Sequence, residues 1–456
     1  MIKNTIFFGV INAILLVASC EEKYNNRPVK LITLDPGHFH AALVQKSMYN
    51  DVDSTVHVYA PEGADLQLHL DKINGYNSRA DKPTAWKEDV YTGNNFFNKM
   101  LEERKGNVVV MAGNNRLKTE YISRSVNAGF NVLGDKPMAI DKANFELLKT
   151  AFVTAAEKKL LLYDIMTERY EITNNLQREL AMIPDIFGKL QTGTTDKPAL
   201  DIVSVHYFYK YVSGSVLTRP AWFFDVMQQG EGITDVGVHL VDLAQWSCFP
   251  DKIIDYKKDI TFNSARRWST PVTLNQFKAI TRQTSFPDYL KKYVVKDTVL
   301  NVFGNGEINY KLKGINIRLV AKWDYRAPEG AGDTHYAAMH GTKASLVIKQ
   351  GIEQANKPVL YIETPLVNNT TYAELLTEKI KGIQAKYPGI TLKKNNSGWE
   401  VIIPEKYEEG HEAHFARVTE KYLEYLKNGN LPVWEITNMI AKYYTTTSAL
   451  ELALKK

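Results

Sequence analysis

A chain of 456 residues is too long for one ordinary hydrophobic core, so two or more domains are expected. With 44% apolar and 23% charged residues it has the composition of a soluble globular protein, which excludes fibrous and disordered classes. Its net charge of +5, from 56 basic and 51 acidic residues, is mild and dispersed, so nucleic acid has no electrostatic footprint here.

The N-terminus carries Lys3 and then an apolar run over residues 6–18, too short to span a bilayer and suited to a signal-peptide core. The run ends in Leu16-Val17-Ala18-Ser19-Cys20, which resembles the bacterial lipoprotein signal. That resemblance implies cleavage before Cys20 and lipid attachment to it. Residues 1–20 are then a lipoprotein signal peptide and 21–28 a tether. The mature chain is expected to be exported and lipid-anchored to a bacterial membrane, on its periplasmic side or at the cell surface. An ordinary signal peptide with a chance cysteine stays open. Cys248, flanked by Trp246 and Phe249, reads as a buried lone thiol.

Strand-like runs at 29–34, 56–60, 108–112, 130–133 and 160–164 alternate with helical stretches, the pattern of a parallel, doubly wound sheet. Asp141 is placed to cap a helix whose inner face holds Phe145, Leu148 and Phe152. From about residue 190 the pattern changes to period two, at 203–208, 299–303, 315–320 and 345–348. These read as strands of a mainly antiparallel sheet, with helices near 242–246 and 415–426 covering one face. The organisation expected is an α/β domain at 29–168, an α+β domain at 169–351, an insertion with its own small strands at 352–410 and C-terminal helices at 411–456.

Several groups could carry chemistry. The first strand runs into Asp35-Pro36-Gly37-His38-Phe39-His40, where a dinucleotide fold carries its glycine-rich turn. Only Gly37 is a glycine of that turn, and His38 and His40 either donate to phosphate or are ordinary helix-start residues. Glu62, after the second strand, is the candidate for gripping an adenosine ribose, or a plain loop glutamate. Asn114 follows the 108–112 strand at the sheet's carboxyl edge, where open α/β sheets bind ligands. Gly134-Asp135-Lys136-Pro137 places a lysine between a buried strand and a proline turn, able to neutralise a developing alkoxide. Farther on, residues 230–242 (GEGITDVGVHLVD) set Asp235 and His239 four residues apart behind a glycine pair. On a helix those side chains share a face, and a carboxylate beside an imidazole can move a proton near neutral pH. His411 and His414 lie three residues apart at a helix start, but no third ligand is specified and no metal is expected.

Taken together, Asp135-Lys136-Pro137, the segment 230–239 and Asp242 resemble the motifs of the glucose-fructose oxidoreductase, inositol dehydrogenase and MocA-like family, over most of residues 29–350. The resemblance implies a Rossmann domain followed by an α+β domain with an open, mainly antiparallel sheet. It implies NAD or NADP as cofactor, contacted by Gly37, His38, Phe39, His40, Glu62, Asn114, Asp135 and Lys136. By the same resemblance Lys136 binds the reacting hydroxyl, Asp235 orients it and His239 is the general base or acid. Arg169, Arg219, Trp222 and His335 are the substrate candidates. The substrate implied is a small sugar or polyol, with the cofactor free or held tightly and recycled each turn, and homo-oligomers are common in the family. The chain departs from the pattern at Asp35-Pro36-Gly37 and in the 352–410 segment. A second hypothesis is a non-catalytic sugar-binding lipoprotein that kept the fold.

Overall fold

Runs of apolar, largely β-branched residues with no alternation become strands buried on both faces. The computed structural model describes residues 28–212, 215–329 and 331–455, so the expected lipidation at Cys20 lies outside the described residues. The chain divides into two units, residues 1–167 with 411–443 and residues 168–410 with 444–456. Each is taken by itself below.

In the first unit, strands β1 (Leu31–Leu34), β2 (Thr55–Ala60), β3 (Lys87–Thr92), β4 (Val108–Met111), β5 (Asn131–Asp135) and β6 (Leu162–Ile165) form one parallel sheet. Its order is β3-β2-β1-β4-β5-β6, the doubly wound Rossmann order. Helices α1 (His40–Val44), α2 (Ala64–Ser78), α3 (Phe96–Glu103), α4 (Lys118–Asn127) and α5 (Lys142–Glu157) connect the strands. Asp141 caps α5 as its sequence predicts, accepting from the Asn144 amide at 2.8 Å. β1, β4 and β6 are buried along their whole length. β3 was not expected. It is an edge strand whose mostly exposed, charged sequence carries no apolar signal.

The second unit begins with α6 (Ile172–Ala181) and β7 (Leu200–Tyr209), followed by α7 (Gly232–Asp235) and α8 (Gly237–Cys248). Strands β8 (Ile260–Thr273), β9 (Val299–Leu312), β10 (Ile315–Arg326), β11 (Thr334–His340), β12 (Ser345–Lys349) and β13 (Val359–Glu363) come next. Helix α9 (Thr370–Lys386) and strands β14 (Thr391–Lys394) and β15 (Gly398–Ile402) complete it. The large sheet has the order β8-β9-β10-β7-β11-β12-β13-β15-β14. It is antiparallel except where β7 runs parallel to β10. The 352–410 segment is therefore no separate body, because its three strands extend this sheet. α6 is pinned to the sheet by Gln177, which donates to the carbonyls of Ala337 and Leu346 at 3.2 and 3.0 Å. Cys248 is the free thiol here, and burial pushes it up to about 12, which leaves no thiolate at neutral pH.

The C-terminal helices α10 (His411–Asn428) and α11 (Val433–Leu454) correct one expectation. Helix 415–426 was expected over the antiparallel sheet. Instead α10 packs on α1 and β6 of the first unit. Residues 433–443 of α11 belong to that unit too. There Lys442, fully enclosed, pairs with Asp164 of β6 at 2.7 Å, and the Tyr443 hydroxyl donates to the same carboxylate at 2.9 Å. A buried charge needs such complete pairing to be tolerated. The helices' own 3.6-residue periodicity could not say which of two apolar surfaces they cover.

Candidate active site

Sequence forces the shape of the first unit's ligand edge. Asp35 ends β1 in a left-handed conformation, φ 47°. Its carbonyl accepts from the Gly37 amide at 2.8 Å, and the Ala112 carbonyl accepts from the His38 amide at 3.1 Å. Gly113 must be glycine, because a Cβ there would lie 2.2 Å from the Asp35 carbonyl oxygen. The exits of β1 and β4 are thus locked together. In a glycine-rich turn the amides face a pyrophosphate. Here the Gly37 and His38 amides are consumed within the protein. Burial, with the charge of Asp65 behind it, pushes the Asp35 carboxyl up to about 6.

Other cofactor candidates fall on this edge as well. Glu62 is exposed two residues past β2, and Asn114 follows β4. Phe39 caps α1, with its ring edge-on to His40. His40 and Asp135 are paired with each other, Nδ1 to Oδ2 at 2.9 Å, and both are buried. Lys136, half-buried, follows β5 ahead of a cis peptide to Pro137. The sheet edge fits a dinucleotide at its ribose end, through the β1/β4 switch point and Glu62. It offers no pair of turn amides for the phosphates.

In the second unit two glycines of the 230–237 segment, Gly230 and Gly232, each have a structural reason. Gly230 has φ 96°, a conformation glycine adopts without steric cost. Gly232 begins α7 against β9, where a Cβ would lie 1.8 Å from the Gly304 carbonyl oxygen. Between them Glu231 is anchored by Arg267, which donates to Oε1 at 2.7 Å. Asp235 ends α7, and Val236, itself right-handed helical, joins it to α8. Two short helices therefore replace the single helix expected, while the spacing of Asp235 and His239 stays helical. Asp235 is buried and His239 half-buried. One turn on, buried Asp242 holds Arg169 through two hydrogen bonds, 2.6 Å to Nε and 2.7 Å to Nη2. The Arg169 guanidinium is held against α8 by this pair.

Arg219 is likewise structural. It donates to the carbonyls of Phe208 and Tyr207 and stacks on Phe223 and Trp323. Burial pulls its guanidinium down to about 10, against the opposing carboxylates of Asp333 and Asp235. Those two acids therefore share one electrostatic neighbourhood with it. Trp222 stands half-buried in a single turn of 3-10 helix, Ala221–Phe224.

Of the polar face beside Arg219, sequence reasoning singled out His335 and missed Ser204 and His206. Ser204 and His206 are two apart on β7, and His335 of β11 pairs directly opposite Ser204, so all three share a face. The Ser204 hydroxyl lies 2.9 Å from His206 Nε2, and His206 Nδ1 lies 3.1 Å from Asp333 Oδ2. Lys210 donates to Asp333 at 2.6 Å, and His206 stacks on Trp323. Burial works to raise the Asp333 carboxyl, but His206 and Lys210 hold it well below the usual carboxylate range. Burial, with His206 beside it, pulls His335 down to about 4, so it is neutral at pH 7. The signal was present as Ser-x-His inside an otherwise apolar strand and Asp-x-His before another. It has no meaning until β7 and β11 are known to be neighbours.

Residues 176–454 match the family described as "Putative oxidoreductase C terminal domain". A crystal structure of a "putative oxidoreductase" from Parabacteroides merdae is 53% identical, with TM-score 0.92, covering 95% of this chain and all of that one. GenD2 of gentamicin A biosynthesis, solved with NAD, is similar in fold at 13% identity and TM-score 0.53, over 95% of this chain and 97% of its own. KijD10, a 3-ketoreductase from Actinomadura kijaniata solved with NADP, is similar at 13% identity and TM-score 0.52, over 92% and 96%. No curated protein matches. Among the described residues no helix is long and apolar enough to cross a membrane.

Proposed function

The chain belongs to the glucose-fructose oxidoreductase, inositol dehydrogenase and MocA-like oxidoreductases, and from that membership we propose that it oxidises or reduces a sugar or polyol carbinol with NAD or NADP. The observation that carries the reading is the 230–242 segment: Gly230 and Gly232 are explained by backbone conformation and close packing, and buried Asp235 stands four residues before half-buried His239, a carboxylate and an imidazole at helical spacing. When bound, the nicotinamide supplies the hydride acceptor or donor. His239 takes the proton from the reacting hydroxyl in oxidation and returns it in reduction. Asp235 orients that hydroxyl, and the Lys136 ammonium favours its alkoxide character. Glu62 holds the adenosine ribose. His206, Lys210 and Asp333 make a charged, hydrogen-bonding surface suited to the remaining hydroxyls of a polyol.

We further propose that the cofactor stays bound and is re-reduced or re-oxidised within one turnover. This suits an exported chain, lipid-anchored through Cys20, that has no outside supply. The test is to denature the purified protein and measure released NAD(P)(H) by chromatography, then assay a panel of sugars with wild type and Lys136→Met. Stoichiometric nucleotide and turnover lost in the variant are expected. Undiminished turnover in Lys136→Met would sink the assignment.

The second reading, a sugar-binding lipoprotein, draws on the closed amides of Gly37 and His38. Calorimetry in which sugars bind while NAD and NADP do not would favour it.

A further inference from the structure

We propose that His38, His40 and Asp135 form a binding site for one divalent transition-metal ion at the carboxyl edge of the first unit's sheet. The inference goes beyond the oxidoreductase reading and does not depend on it.

Three donors from two places in the chain converge. One ligand atom from each residue lies within 4.8 Å of the other two. Asp135 Oδ2 is the focus, 2.9 Å from His40 Nδ1 and 3.7 Å from His38 Nδ1. A zinc-like ion with bonds of about 2.0–2.1 Å in tetrahedral geometry spaces its donors roughly 3.4 Å apart, so the observed separations straddle the required one. The other carboxylate oxygen, Oδ1, is buried and has no hydrogen-bond partner, on a residue only 3% exposed. A buried carboxylate oxygen with unused lone pairs is destabilising. An ion that engages the carboxylate removes that cost.

Proton placement points the same way. His38 Nδ1 accepts the His40 amide at 3.4 Å, so it carries a lone pair rather than a hydrogen. That lone pair lies 3.7 Å from a carboxylate oxygen, another acceptor. Two acceptors at this distance repel unless a cation stands between them. Two imidazoles and one carboxylate, with coordination positions left over, suit Zn²⁺, Co²⁺ or Mn²⁺ rather than Ca²⁺, which takes oxygen.

The surroundings are built as a support. Lys118 Nζ donates to the Asp135 main-chain oxygen at 3.0 Å and fixes the strand end behind the carboxylate. Its charge opposes a second cation, so moderate rather than extreme affinity is expected. Phe39 and Phe415 pack on His40 with ring centroids 4.5 Å away, which limits the rotation of the ligand ring. His411 on α10 has its ring centroid 6.1 Å from that of His40 and is the neighbouring imidazole for a further position. The HFH turn that departs from the glycine-rich pattern thereby acquires a purpose. The side chains that replaced phosphate-binding glycine are metal donors.

The experiment titrates the chelator-treated, tag-free full chain with Co²⁺ in the absence of nucleotide and sugar, so its outcome is independent of whether the protein is a dehydrogenase. One Co²⁺ per chain, with visible d–d absorption and displacement by Zn²⁺, is expected. Asp135→Asn and His40→Gln should weaken Co²⁺ binding more than about tenfold, the range for disturbed metal sites. His38→Gln, at a half-buried position, repeats the test should the buried variants unfold in circular dichroism. Glu412→Gln, outside the donor set, should bind like wild type. No stoichiometric Co²⁺ overturns the proposal and leaves a hydrogen-bonded His40–Asp135 pair. So does Co²⁺ binding that survives all three ligand variants, or that is lost only in His411→Gln.

Discussion

The turn after β1 in the first unit and the segment joining α7 to α8 in the second both carry motif residues, yet they hold them for different reasons. In the 230–242 segment Gly232 is required by its approach to the Gly304 carbonyl and Gly230 by its positive φ, and Asp235 and His239 follow at helical spacing. In the 35–40 turn a single glycine remains, the amides are spent internally, and the polar side chains face one another.

The largest effect that would break this contrast is on turnover. His239→Gln should lower kcat by about 10²- to 10⁴-fold, the range for a general base, with an unchanged melting temperature. An equal loss of stability would make His239 part of the packing instead. Next comes the support of α8. Arg169→Met removes the two hydrogen bonds that Arg169 gives buried Asp242, which should cost about 3–5 kcal/mol in denaturant unfolding. A cost below 1 kcal/mol would return Arg169 to the substrate.

Gly232→Ala pushes a Cβ into the Gly304 carbonyl, and about 1–3 kcal/mol of destabilisation is expected in a thermal melt. In the other region, Asp35 has its folded-state value raised to about 6 by burial and then by Asp65. A carboxyl raised on folding contributes its full stability below the unfolded value of about 4. That contribution is lost as pH rises through about 6, and above it the cost is constant. Asp35→Asn, which tolerates the left-handed backbone, should therefore stabilise by about 1–2 kcal/mol at pH 7.5 and by nothing at pH 4. A gain equal at both pH values would show that ionisation is not the cause. Smallest, Glu62→Gln should weaken NAD(P) binding about fivefold, ~1 kcal/mol, by calorimetry.

How much was legible varies with burial and with sequence distance. Buried parallel strands such as β4 announce themselves as uninterrupted Val-Val-Val-Met. The edge strand β3 did not, because its exposed face is satisfied by Lys, Glu and Asp. Among site residues, Asp235 and His239 were visible because their spacing is local. The Ser204–His206–Asp333 series was not, since its members are joined by strand neighbours more than a hundred residues apart. The bonds of Arg169 to Asp242 and of Arg219 to the Phe208 carbonyl were not legible either, because an arginine does not reveal its partner by its identity.

The order of strands and helices, the change from parallel to antiparallel periodicity and the 230–242 motif follow from the sequence alone, because each rests on residues within a turn or two of one another. Tertiary structure decided what those signals could not reach. It returned α10 to the first unit, added three strands of the 352–410 segment to the large sheet, and closed the β1 turn on itself. It also aimed His38 and His40 at Asp135, some 95 residues away along the chain. Long-range pairing has this character throughout. The energy of a contact depends on both partners, and the sequence near either one holds only half of it.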